Sequence, residues 1–118
     1  MPAATIHSME QCIENCLRCH RLCLETAARH LKGEAPIEGL HLRLLLDCAE
    51  ICQTSANFMI RGSDLHGETC GACAAVCERC ADECDRHGDD PHMAACAEIC
   101  RACAQTCREM ARATSTLR

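Results

Sequence analysis

Cysteine recurs along this chain at steps of three and four. Cys12, Cys16, Cys19 and Cys23 form one set, and Cys48 and Cys52 a second. Cys70, Cys73, Cys77, Cys80 and Cys84 form a third, and Cys96, Cys100, Cys103 and Cys107 a fourth. Steps of three and four keep every member of a set on one face of an α-helix. In a helical bundle that face ordinarily carries the leucines and isoleucines of the core; here it carries sulfur. The sequence holds 15 cysteines in 118 residues, with Phe58 as its only aromatic and no Trp or Tyr. A domain of this size normally buries aliphatic and aromatic side chains, so the thiols themselves must fill much of the interior.

Three breaks separate the four sets: Gly33-Glu34-Ala35-Pro36, Gly62-Ser63 and His87-Gly88-Asp89-Asp90-Pro91. Each joins a glycine to a helix-starting residue or proline, which is how helices stop and restart. The pattern predicts helices over 5–32, 37–61, 64–86 and 91–114 within one domain, 1–118. Ser63 or Asp64 is expected to cap the third, and Asp90, before Pro91, the fourth. Short connections between long helices predict an all-α, antiparallel up-down four-helix bundle with a cysteine-lined core. Ile13, Leu17, Leu24 and Leu31 run beside the first stripe. The second segment is apolar on several faces, with Leu40, Leu44, Ile51 and Phe58 in one row and Leu42, Leu46 and Ile60 in another. A helix apolar nearly all round is buried on more than one side, so this segment is expected to form a homo-oligomer interface.

The formal net charge is −5, with no basic stripe, which argues against a nucleic-acid partner. The densest apolar run, around 40–46, is broken by His41 and Arg43 and is no membrane span. The start, Met1-Pro2-Ala3-Ala4-Thr5-Ile6-His7, lacks the basic and apolar regions of a secretory signal, so a cytoplasmic location is expected. In a reducing compartment, cysteine-rich patterns are metal sites more often than disulfides, and an odd number of thiols leaves one unpaired in any intramolecular disulfide scheme.

Paired by fours, the cysteines give seven C-x-x-x-C units, with Cys70 left over. Residues i and i+4 of a helix have Cβ atoms about 5–6 Å apart, so two sulfurs of one helix are expected to converge on one ion. Thiolate softness selects Cu(I), zinc or iron–sulfur chemistry. Zinc favours four ligands in closed sites, and the ferredoxin spacing of cysteines is absent. Cu(I) accepts linear or trigonal thiolate coordination, which two-sulfur units supply. Zinc or general soft-metal sequestration is the alternative, and an iron–sulfur electron carrier the more distant one.

The serial units Cys12-Ile-Glu-Asn-Cys16, Cys19-His-Arg-Leu-Cys23, Cys48-Ala-Glu-Ile-Cys52, Cys73-Ala-Ala-Val-Cys77, Cys80-Ala-Asp-Glu-Cys84, Cys96-Ala-Glu-Ile-Cys100 and Cys103-Ala-Gln-Thr-Cys107 resemble those of the bacterial copper storage proteins. The resemblance spans roughly residues 5–114. It implies a cysteine-lined bundle holding multiple Cu(I) ions, a cytosolic location, a tetramer of bundles, and storage or detoxification rather than catalysis. All 15 cysteines are then expected metal ligands. With only one unit on the second segment, this chain departs from the family.

Extending each stripe places Met9, Met59 and Met110 at one end of an antiparallel bundle, with His66 nearby. His30, His41, His87 and Met93 fall at the other, with His92 adjacent. Thioether and imidazole are soft-metal ligands weaker than thiolate, so one or both ends are expected to act as ports that pass Cu(I) to the thiolates.

Overall fold

The computed structural model describes residues 3–34 and 37–117, with side chains described for 8–34 and 37–113. Ala35 and Pro36, which complete the first predicted break, lie outside the described residues, as does the side chain of His7. Four helices run in chain order: α1 (Ala3–Leu31), α2 (Gly39–Ile60), α3 (His66–Asp85) and α4 (Pro91–Leu117). Among the described residues there is no strand. The molecule measures 46 × 21 × 18 Å, and its length is that of α1, since 29 residues at the helical rise span about 44 Å.

Each helix packs on its two neighbours, α1 on α2 and α4, and α3 on α2 and α4. Contacts between the start of one helix and the end of the next, such as Cys12 with Cys107 and Ser55 with Cys70, make the neighbours antiparallel. The fold is the four-helix bundle that the cysteine periodicity predicts.

The breaks work by two mechanisms. Gly33 and Gly62 adopt left-handed φ of 79° and 69°, which glycine enters without a Cβ penalty. At each, the glycine N–H donates three residues back, to His30 O and Met59 O, and the following N–H donates five back, to Arg29 O and Phe58 O. This is the Schellman arrangement, which satisfies the last carbonyls of a helix. The third break instead unwinds through successive tight turns, with Arg86, His87 and Gly88 donating to Glu83, Cys84 and Asp85. Asp90 then caps α4, accepting the His92 N–H at 2.9 Å. At α3 the expected cap falls elsewhere: Ser63 Oγ accepts the Leu65 N–H, inside the turn, and α3 begins at His66 without a side-chain cap.

All 15 cysteines are fully buried. Beside them lie small residues, among them Ala27, Ala49, Ala56, Ala74, Ala81, Ala97 and Ala104, which let the helices approach until short thiol side chains meet across the axis. The α2 stripe reads His41, Leu45, Cys48, Cys52, Ser55, Met59, all buried. Among the described residues Leu45 is the one leucine wholly inside the core, and the predicted apolar rows of this helix do not contain it. The outer rows divide: Leu42 and Ile51 pack against the core, while Leu40, Leu46 and Ile60 are exposed. On α1, Ile13, Leu17 and Leu22 pack inward, and Leu24 and Leu31 face solvent.

Candidate metal centre

Every cysteine is a free thiol. The closest Sγ–Sγ approaches run between helices: Cys12–Cys107, Cys16–Cys107 and Cys16–Cys103 at 3.5 Å. Cys52–Cys73, Cys52–Cys77, Cys48–Cys77, Cys19–Cys100 and Cys23–Cys96 follow at 3.6 Å. Within one helix the separations are longer, 3.8 Å for Cys73–Cys77 and 4.0 Å for Cys19–Cys23. Pairs within one C-x-x-x-C unit and pairs between helices are thus both close enough to share an ion, and three of the units lie whole inside the groups described next. Sulfurs one turn apart on one helix lean together from Cβ atoms about 5–6 Å apart, and facing helices bring further sulfurs into the same range. Cys48–Cys100 and Cys52–Cys103, each at 3.9 Å, even meet across the diagonal of the bundle.

The sulfurs gather into five groups whose members all lie within 4.8 Å of one another. From one end to the other they are Cys12, Cys70 and Cys107; Cys16, Cys73, Cys103 and Cys107; Cys19, Cys52, Cys77 and Cys103; Cys19, Cys23, Cys48 and Cys100; and Cys23, Cys80, Cys96 and Cys100. Each group draws on at least three helices. Only Cys84 stands outside them, and its sulfur lies 3.3 Å from His41 Nε2. Softness and proximity make these groups fit for Cu(I) and other thiophilic ions.

Crowding splits the acidities of the thiols. Cys103 is held far below the ordinary thiol value by hydrogen bonds from Cys107 and Cys16 among its neighbours. Cys107 and Cys52 are pushed far up, each first by Cys103, with burial acting in the same direction. One sulfur can thus carry charge within a neighbourhood while its neighbours keep their protons. A soft cation removes that conflict by taking the place of the protons.

The two ends differ. At one, His41 is buried, its ring stacks on that of His87 with centroids 5.4 Å apart, and His87 itself is exposed. Burial, and then His87, lower the His41 pKa below its usual value, so its imidazole is neutral near pH 7 and offers a lone pair. Among the described residues its Nδ1 is buried without a hydrogen-bond partner. His30 and Met93 are buried at the same end; His92 is exposed. At the other end Met59 and Met110 are buried and Met9 packs against the core. His66 there donates from Nδ1 to Ser63 O at 2.8 Å.

Ser55 was not singled out by the sequence pattern. Its Oγ lies 3.3 Å from Cys70 Sγ, and its place three residues after Cys52 was the available signal. His20 donates from Nδ1 to Ala49 O at 2.6 Å and ties α1 to α2. Asn15 similarly ties α1 to α4, donating to Thr106 Oγ1 at 3.3 Å.

Known proteins share this arrangement. The family model described as copper storage protein matches residues 3–112. The uncharacterised cysteine-rich protein YhjQ of Bacillus subtilis (strain 168) is 37% identical over 75 residues, 64% of this chain and 64% of that protein. The match therefore spans just under two thirds of the curated relative's length. The Cu(I)-bound copper storage protein BsCsp3 superposes with a TM-score of 0.81 at 36% identity, covering 88% of this chain and 98% of that one. A cytosolic copper storage protein from Streptomyces lividans with five coppers superposes at 0.78 and 34% identity, covering 90% and 93%. With nearly its whole length matched, the chain belongs to the copper storage protein family.

Proposed function

We propose that this protein binds and stores multiple Cu(I) ions through the thiolates of its core. The observation that carries the reading is the unbroken series of five sulfur groups, buried and drawn from different helices. Each ion displaces thiol protons, so affinity falls as pH falls. The role is storage or detoxification rather than catalysis. A cytosolic location is supported by the description of the Streptomyces relative as a cytosolic copper storage protein. No described helix is long and apolar enough to cross a membrane.

Anaerobic titration of the reduced protein with Cu(I) against a competing chelator tests the function. Saturation at several ions per chain is expected; saturation at one ion or fewer overturns it. All 15 cysteines are assigned as ligands, with His30, His41, His87 and Met93 forming one port and Met9, Met59, Met110 and His66 the other. The His41–Cys84 contact supports the first port, since it joins an imidazole to the column. Replacing His30, His41 and His87 together is expected to slow loading with capacity unchanged, and an unchanged rate removes that port. The exposed Leu40, Leu46 and Ile60 support self-association through α2 as a homo-oligomer, a tetramer in keeping with the family. A monomeric mass by light scattering at micromolar concentration counts against it.

A further inference from the structure

The five sulfur groups overlap, and the overlaps are confined to two helices. Cys107 belongs to both the first and the second group, Cys103 to the second and third, and Cys19 to the third and fourth. The fourth and fifth share two members, Cys23 and Cys100. These five residues lie on α1 and α4. No cysteine of α2 or α3 belongs to more than one group.

We infer that the shared cysteines are a relay, and that an ion held in one group reaches the next by exchange on the sulfur common to both. This rests on the storage reading above and assigns a positioning role within it. A thiolate has more than one lone pair, so it can keep hold of an ion while that ion changes its other ligands. In each step one Cu–S bond forms to the receiving group and one breaks to the group being left. The receiving thiol gives up its proton, the vacated thiolate takes one up, and the oxidation state of copper does not change. The ion is never released from sulfur. The grouped cysteines of α2 and α3, with Cys12, Cys16 and Cys96, complete single groups, whereas the five shared cysteines of α1 and α4 connect the groups.

The junctions are unequal. Cys107, Cys103 and Cys19 are each the sole link at their position, but Cys23 and Cys100 duplicate one another. Cys103→Ser and Cys100→Ser therefore make a matched pair. Both residues lie on α4, three positions apart, both are fully buried, and each belongs to two groups.

Loading from a Cu(I)–chelator complex, followed by stopped-flow loss of the chelator signal, separates them. For Cys103→Ser the late phase is expected to slow by about tenfold or more, equivalent to about 1.4 kcal/mol in barrier. Cys100→Ser is expected to keep a late phase close to that of the unaltered protein, with the same final capacity as Cys103→Ser. Cys52→Ser, which removes a sulfur from a single group, serves as control for lost capacity and for folding. Late phases that are equal in Cys103→Ser and Cys100→Ser overturn the relay while leaving storage intact. Failure of the unaltered protein to take up more than one ion overturns storage itself.

Discussion

Helices α2 and α3 are packed neighbours of similar length, 22 and 20 residues, yet they bring different chemistry to the interior. On α3 the buried face is Cys70, Cys73, Cys77, Cys80 and Cys84 with Ala74 and Ala81. On α2 the same kind of face holds only Cys48 and Cys52 among His41, Leu45, Ser55 and Met59. One helix buries only thiols and alanines. The other carries the largest aliphatic side chain of the core and presents a residue of different chemistry at each end. A bundle of short thiols buries little apolar area per residue, and hydrophobic stabilisation scales with that area. The metal-free fold therefore leans on α2 for cohesion more than on α3, whose buried face is thiol and alanine.

The division can be broken from either side, and the largest effect is expected on capacity. Replacing the five α3 cysteines with serine takes one sulfur from every group except Cys19, Cys23, Cys48 and Cys100. Replacing Cys48 and Cys52 touches only two groups. Chelator-competition titration should show the α3 variant losing most of its high-affinity copper and the α2 variant losing much less. Equal losses would mean the groups do not act as separate sites.

The converse experiment concerns stability. Leu45→Ala should destabilise the metal-free bundle by about 2–5 kcal/mol, the range for a leucine cut back in a packed core. The readout is a lower urea midpoint at unchanged slope. Its copper capacity should not change. Cys77→Ala, equally buried on α3, should show the opposite pattern, with a smaller stability loss and a clear loss of metal.

The smallest effect is pH-dependent and sharpens the contrast at one end. His41 has its folded pKa depressed below 6.5, first by burial and then by His87. Between the depressed value and 6.5 the unfolded chain binds a proton that the folded chain does not. The metal-free protein should therefore lose stability as pH falls from above 6.5 through that window. His41→Gln should flatten the dependence. A stability profile identical in the two proteins would show that His41 is not the titrating group.

Much of this was legible in the residues. Cysteines at steps of three and four fixed helices, faces and the content of the core, because helical periodicity is a local property. Gly33 and Gly62 stop helices as their chemistry requires. Leu45 and Ser55 lay on the α2 register at −3 from Cys48 and +3 from Cys52, and were obscured by a helix apolar on several sides. Partnership between sulfurs of different helices was not legible. The sequence displays neighbours four residues apart on one helix, whereas the axial register of facing helices decides that Cys16 meets Cys103 and Cys107. That register depends on side chains such as Asn15 and His20, whose partners lie 91 and 29 residues away in the chain.

Because every sulfur group takes members from at least three helices, an ion bound in one is also a cross-link between segments far apart in sequence. Ligands that bind only the folded chain raise its resistance to unfolding with each increment of occupancy. Copper content and the lifetime of the protein are then one quantity seen in two ways. Filled chains are then expected to withstand proteolysis and heat better than empty ones, which open more readily. The size of the standing pool would thus follow the supply of its cargo through folding equilibrium alone.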